Sequence, residues 1–155
     1  MRLGVVSDTH GRFDPALPRL LRGVDGIIHA GDIGGLEVIR ALEAIAPVIA
    51  VEGNNDPGGR FPVERLERLG GRSVLVRHVF GERHQLRDAE RALLARLRPD
   101  VVVFGHSHRP YRERLGSTLL FNPGSAGPRR FSLPRSVGLL RLGPRRVDAR
   151  IVLLD

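Results

Sequence analysis

The sequence predicts an α/β fold whose front half pairs its strands largely in parallel and whose tail runs antiparallel. Three observations lead there. The segments 3–6, 48–51, 73–76 and 101–104 are apolar at nearly every position, the pattern of strands buried on both faces. Segments with helical spacing separate the early strands, which is how parallel neighbours are connected. Beyond residue 104 the helical spacing stops, and the strand patterns 118–121, 136–142 and 147–154 follow without helices between them.

Each element has a local reason. Strand 3–6 runs into Ser7-Asp8-Thr9-His10-Gly11, and Asp14-Pro15 then reads as an N-cap with proline at the first helical position. A short helix through Leu20 and Leu21 ends near Gly23, with Pro18 working against it. Strand 26–30 ends at Gly31-Asp32. Gly34-Gly35 precedes a helix carrying Val38, Leu42 and Ile45 on one face, and Pro47 stops it. Strand 48–51 ends at Gly53-Asn54-Asn55-Asp56. Residues 57–71 are rich in glycine, proline and arginine, with one or two helical turns expected around Val63, Leu66 and Leu69. Strand 73–76 leads to Arg77-His78. The clearest helix is 85–97, with Leu86, Ala89, Leu93 and Leu97 along one side and Pro99 behind it. Strand 101–104 then delivers Gly105-His106-Ser107-His108, and Gly143-Pro144 suits a turn between the last two strands.

Composition sets the bounds. The 155 residues make one domain, 1–155, with 41% hydrophobic and 27% charged residues, as in an ordinary globular protein. No apolar run approaches membrane-spanning length and the first strand begins at once, so a cytoplasmic protein without a signal peptide is expected. Cysteine is absent, which excludes disulfides and thiolate ligands and leaves nitrogen and oxygen to hold any metal. The net charge is +8, and every basic residue is arginine rather than lysine. A GC-rich genome is the plain explanation; a surface that attracts phosphates or nucleic acid is the functional one.

The ends of the apolar runs carry the chemistry. Asp8 and His10, Asp32, Asn54, His78, His106 and His108 all follow strands. Asp8 with His10 and His106 with His108 are i, i+2 pairs, and extended chain turns such pairs to one side. In open α/β sheets ligands bind beyond the carboxyl ends of the strands. Each residue has a dull explanation: Asp32 as a helix-entry turn residue, Asn54 as a turn former, His78 as a satisfied histidine. Five strands ending in seven nitrogen or oxygen ligands point instead to a metal centre. Seven ligands exceed one tetrahedral ion and suit two cations that share a carboxylate. Two cations about 3.5–4 Å apart clamp the attacking and leaving oxygens of an in-line displacement and make hydroxide available at neutral pH. Phosphate-ester hydrolysis is the reaction that most needs this.

The order Asp8-Thr9-His10, Gly31-Asp32, Gly53-Asn54-Asn55-Asp56, His78 and Gly105-His106-Ser107-His108 resembles the calcineurin-like metallophosphoesterase superfamily. Asn122-Pro123-Gly124-Ser125 adds a resemblance to its small single-domain branch, the YfcE-like phosphodiesterases. The resemblance implies a four-layer α/β/β/α fold of two mixed sheets flanked by helices. It implies one divalent metal on Asp8, His10, Asp32 and His108 and a second on Asp32, Asn54, His78 and His106, with Asp32 bridging. Asp32, Asn54, His106 and His108 would serve catalysis, and the nucleophile would be a hydroxide shared by the metals. Manganese is the first expectation; zinc, iron, nickel and cobalt also suit these ligands. The substrate would be a phosphate ester, nucleotide-like among the options, and a homo-oligomer is left open.

Departures from the pattern carry information. The branch usually reads H-G-H near the lone histidine, whereas here it is His78-Val79-Phe80. Larger relatives have a histidine after G-N that helps the leaving group depart; here it is Asn55, so stable leaving groups are favoured. His29 is expected to be a satisfied core histidine and His84 a solvated one. Arg109, Arg112, Arg114, Arg129 and Arg130 are candidates for the substrate mouth, since guanidinium binds phosphate oxygens well. Two rivals stand beside this reading: a non-catalytic scaffold of the same fold, and a nuclease or nucleic-acid-binding protein. Only 5% aromatic content argues against a base-stacking platform.

Overall fold

The computed structural model describes residues 1–154. Its apolar runs become strands β1 (Arg2–Val6), β2 (Gly26–His29), β3 (Val48–Ala50), β5 (Arg72–Arg77) and β6 (Val101–Val103). Helices α1 (Leu17–Leu20), α2 (Leu36–Glu43) and α3 (Asp88–Leu97) fall within or overlap the expected segments, but α2 stops before Ile45, which the spacing places on its face. The remaining strands are β4 (Glu64–Leu69), β7 (Tyr111–Leu115), β8 (Thr118–Asn122), β9 (Ser136–Leu142) and β10 (Val147–Leu153). They form two five-stranded sheets, ordered β10-β9-β1-β2-β3 and β4-β5-β6-β8-β7. β1, β2 and β3 pair in parallel, as do β5, β6 and β8, while β9, β10, β4 and β7 supply antiparallel pairs.

Side-chain alternation explains the four layers. Leu3, Val5 and Ile28 of the first sheet meet Val74, Val76, Val101, Val103 and Phe121 of the second in the central core. Val6 and Ile27 point the other way and are covered by Leu17, Val38 and Leu42 of α1 and α2. Leu75, Val102, Phe104 and Leu120 are covered by Leu86 and Leu93 at the opposite face. Both faces of each central strand are thus buried, which is why these runs contain almost no polar residue.

Four expectations are corrected. Residues around Val63, Leu66 and Leu69 form strand β4, not helical turns. Gly70 and Gly71, at φ +55° and +79°, close a two-residue hairpin in which Leu69 faces Arg72, and this overrides the three-residue leucine spacing. Strand β7 was not foreseen; Gly116 at φ +59° turns it into β8, with Leu115 opposite Thr118. The tail is not wholly antiparallel, because β8 runs parallel to β6. The helix expected over 85–97 starts at Asp88, after a 3₁₀ turn over Arg83–Gln85.

Two arginines placed at the substrate mouth have another task. Arg112 and Arg114 of β7 donate to the Ala149 and Val147 carbonyls of β10, at 2.6 and 2.5 Å. They face inward at the open end of the sandwich, opposite Phe121 and Leu119, and tie one sheet edge to the other. Asp14 is not the α1 N-cap, a place held by Ala16, but its Oδ1 accepts the Ala16 N–H at 2.8 Å.

Candidate metal centre

The carboxyl ends of β1, β2, β3, β5 and β6 lie side by side, and their loops are stitched together by the backbone. The Asp8 N–H donates to Gly31 O, His10 N–H to Asp32 O, and Gly105 N–H to His78 O, each at 3.0 Å. Asp8, His10, Asp32, His106 and His108 all adopt left-handed backbone, with φ between +47° and +69°. Among the described non-glycine residues only Arg98 and Phe131 share that conformation. Asp and His tolerate it better than most residues, yet each instance costs energy, and such strain concentrates at functional sites. The extended-chain reading of the i, i+2 pairs is thereby corrected: Asp8, His10, His106 and His108 sit in left-handed turns past the strand ends, and Asp8 and His10 still bring ligand atoms within 4.8 Å of each other.

All seven residues predicted from the sequence meet here. Asp8, His10 and His108 offer three ligand atoms within 4.8 Å of one another, and Asp8, Asp32 and His78 offer a second such set. Asp32 Oδ2 lies 3.8 Å from His10 Nε2 and 3.3 Å from His78 Nε2. Asp8 Oδ1 lies 3.2 Å from His108 Nε2 and 3.8 Å from His78 Nε2. Each carboxylate therefore touches imidazoles of both expected metal positions. His106 Nδ1 and Asn54 Oδ1 are 2.9 Å apart at the exposed rim, and the His106 ring stands edge-on to His78 with centroids 5.5 Å apart.

The ligand atoms fit divalent cations. Asp8 Oδ1 and His78 Nε2 are buried and have no hydrogen-bond partner among the described residues; His108 Nδ1 is the third such atom. A buried lone pair without a partner is costly, and a cation satisfies it. His78 Nδ1–H donates to Ala30 O at 2.7 Å, which fixes the tautomer and leaves the Nε2 lone pair facing the carboxylates. Burial works to lower the His78 pKa, but Asp32 and Asp8 outweigh it and hold the ring above the ordinary histidine value. Burial works to raise Asp32, yet His78 and Asn55 keep it far below the usual carboxylate range. His10 is lowered by burial, with Arg130 and His108 adding to the effect against Asp32 and Asp8. Arg130 thus stands near enough to the mouth for its charge to be felt at His10.

Residues 1–144 match the family model described as the calcineurin-like phosphoesterase superfamily domain. The chain belongs to that superfamily. It is 35% identical over 161 residues to a probable metallophosphoesterase of Methanothermobacter thermautotrophicus, covering 98% of this chain and 92% of that one. Against phosphodiesterase YfcE of Escherichia coli K12 the identity is 32% over 171 residues, covering 90% and 87%. Vps29 of Entamoeba histolytica superposes with a TM-score of 0.78 over 100% of both chains at 19% identity, a likeness of fold alone.

The phosphoesterase motifs owe their glycines to close packing. A Cβ on Gly53 would lie 2.1 Å from Asp32 Oδ1, and one on Gly105 would lie 2.0 Å from Ser7 Oγ. Several supporting residues carried no predicted role. Asp56 accepts the N–H groups of Ile33, Gly34 and Gly53 at 2.8–3.1 Å, locking the Asp32 and Asn54 loops together. Asn122 donates to Gly105 O at 2.8 Å and to Ser107 Oγ at 3.1 Å, and Ser125 Oγ donates to Asp8 O at 3.0 Å. The Asn-Pro-Gly-Ser turn therefore braces both His108 and Asp8 from behind. Its signal was the motif itself, quoted above only as a family mark. Ser7 Oγ and the His106 N–H both donate to Asp8 Oδ2, at 2.7 and 3.2 Å, which leaves Oδ1 as its open atom.

His29 is the satisfied core histidine that the sequence implied. It is buried, with Nε2 2.8 Å from Thr9 Oγ1 and Nδ1 accepting the Gly31 N–H at 3.2 Å. Asn55 donates to Asp32 twice, from its backbone N–H at 2.9 Å and from Nδ2 at 2.7 Å. Its side-chain amide is turned onto Asp32, and an amide is too weak an acid to protonate a leaving group.

Proposed function

We propose that this phosphoesterase is a metal-dependent phosphodiesterase with a two-cation centre, Asp32 bridging. One cation would be held by Asp8, His10, Asp32 and His108 and the other by Asp32, Asn54, His78 and His106. One observation carries the reading: Asp32 Oδ2 lies 3.8 Å from His10 Nε2 of one expected site and 3.3 Å from His78 Nε2 of the other, beside the buried Asp8 Oδ1 and His78 Nε2, which have no hydrogen-bond partner among the described residues. When bound, two divalent cations supply hydroxide at neutral pH and neutralise charge on phosphoryl oxygens.

The chain's own residues do the rest. Asp8 and Asp32 offset only half the charge of two divalent cations, so the centre attracts a singly charged diester. Ser7, His106 N–H and Asn55 fix the carboxylate orientations, and Ala30 O and His29 fix the loops behind them. Asn54 and His106 are exposed at the rim and His108 is buried; the three would stabilise the charge that develops on the phosphoryl oxygens. Since Asn55 cannot protonate the departing oxygen, leaving groups that are stable as anions are favoured. Manganese is the expected cation. The test is hydrolysis of bis(4-nitrophenyl) phosphate after treatment with chelator and after return of manganese. Activity lost and regained supports the proposal; full activity in excess chelator overturns it.

A further inference from the structure

Positive charge gathers at one edge of the molecule. From Pro123 to its end the sequence carries seven arginines and two aspartates, and four of those arginines, Arg141, Arg145, Arg146 and Arg150, lie in the β9–β10 hairpin. Arg2 of β1 stands directly opposite Arg141 across the sheet, Asp148 stands opposite Arg141 on the other side, and Arg150 is the next residue on that face. Like charges placed directly opposite each other destabilise a sheet. The carboxylates at hand are engaged elsewhere: Asp148 lies 3.9 Å from Arg146, and Asp25 Oδ2 accepts the Arg2 backbone N–H at 2.6 Å. Among the described residues Arg2, Arg141, Arg145 and Arg150 form no ion pair. An arginine-rich composition explains neither this shortage of carboxylates nor the opposed pair.

The fold presents these groups outward. Arg72 donates to Gly143 O at 3.0 Å and to Pro144 O at 2.8 Å, and the Gly143 N–H closes the turn on Arg146 O at 3.0 Å. Arg145 and Arg146 therefore project, exposed, from a braced turn. Two depressions of about 160 and 260 Å³ share Arg141 and Asp148 and are lined between them by all five arginines, with no aromatic side chain in either. Such a surface meets phosphates and does not stack bases, which favours a duplex over a single strand. The turn is the tip of a two-stranded ribbon, which the major groove of B-form DNA admits and the deep, narrow groove of A-form RNA does not. Arg2 opens β1 and Asp8 follows its far end, roughly 20 Å away, so the patch stands apart from the metal centre.

We propose that this face docks double-stranded DNA through its phosphate backbone. Binding then needs neither metal nor turnover, and it is read by fluorescence anisotropy of a labelled DNA duplex of arbitrary sequence in chelator. Affinity should fall with salt at a log–log slope of about −4, one phosphate for each unpaired arginine. Arg141→Gln with Arg150→Gln should weaken binding by about tenfold or more and flatten the slope by about two. Arg145→Gln with Arg146→Gln, in the turn, should also weaken it. Arg91→Gln with Arg96→Gln, exposed on α3, removes the same charge from another surface and should leave affinity within about twofold. Melting curves of all three variants should stay within a few degrees of the parent. An equal loss in the α3 variant would show that net charge attracts the duplex without this surface, and would overturn the proposal. So would binding untouched by both hairpin variants, or tighter binding of an RNA duplex or of single-stranded DNA at the same salt.

Discussion

Acidifying the metal-free protein should expose a stability term that resides in His29. Its ring is buried between Thr9 Oγ1, at 2.8 Å, and the Gly31 N–H, at 3.2 Å. Thr9 passes its own hydroxyl proton to Ile33 O at 2.8 Å, so it accepts from His29 Nε2–H, and Nδ1 must stay unprotonated to accept from Gly31. A charged ring would set N–H against N–H. Burial is the main reason that the His29 pKa falls from 6.5 to about 4. The sign follows: below 6.5 the unfolded chain takes up a proton that the fold refuses, so stability present above 6.5 drains away as the pH falls to about 4. That interval is worth about 3 kcal/mol. For a domain of this size it corresponds to roughly 6–12 °C in Tm. The assay is thermal melting by circular dichroism in chelator, between about pH 7 and about pH 4, on the parent and on His29→Gln. Glutamine can still donate to Thr9 but does not titrate, and Asp14, Asp32 and Glu90, whose pKa values are also lowered, contribute equally to both proteins. The parent should lose more Tm than the variant by roughly the amount given. Equal losses would refute the buried-neutral account of His29.

Two other outcomes are expected. Among chromogenic diesters and alkyl monoesters the protein should prefer an aryl leaving group, because the Asn55 amide, held on Asp32, is too weak an acid to protonate an alkoxide; steady-state rates that favour alkyl monoesters would reveal a proton donor elsewhere. Arg135→Leu should cost about 3–5 kcal/mol in a denaturant melt. The change strands the buried Asp14 carboxylate, which burial works to raise but which the Ala16 N–H and Arg135 hold below its ordinary value. A loss well under about 1 kcal/mol would show that the Asp14–Arg135 pair is dispensable.

Much of this was legible because both main signals are local. An apolar run at β6 followed by Gly105-His106-Ser107-His108 states at once that a strand ends and that two histidines follow, and the structure sets them beside Asn54 and Asp8. The parallel core was readable for the same reason: Val101, Val102 and Val103 are apolar because both their faces are covered. What escaped depends on partners distant in sequence. β4 has charged residues and a three-residue leucine spacing, and it is a strand only because the Gly70-Gly71 turn lays it on β5; that glycine pair was the signal to heed. β7 is equally polar, and its Gly116-Ser117 turn was the corresponding clue. Arg112 and Arg114 looked like phosphate ligands by proximity to His108 along the chain, but strand alternation turns them toward the carbonyls of β10. Asp56 sat within a recognised motif, and its bracing role became readable only once β2 and β3 were neighbours.

The central claim is that two cations are held around a shared carboxylate, and metal content per chain tests it most directly. Asp32 Oδ2 approaches His10 of one expected site and His78 of the other, at 3.8 and 3.3 Å. Asp32→Asn keeps the shape and removes the charge. The account predicts that the parent, equilibrated with manganese and passed through a desalting column, retains two ions per chain by elemental analysis. The variant should retain neither tightly, hydrolyse bis(4-nitrophenyl) phosphate slower by orders of magnitude, and melt in chelator within a few degrees of the parent. Asp8→Asn should impair one site more than the other. An Asp32→Asn protein that still holds two ions and turns over like the parent would contradict the account.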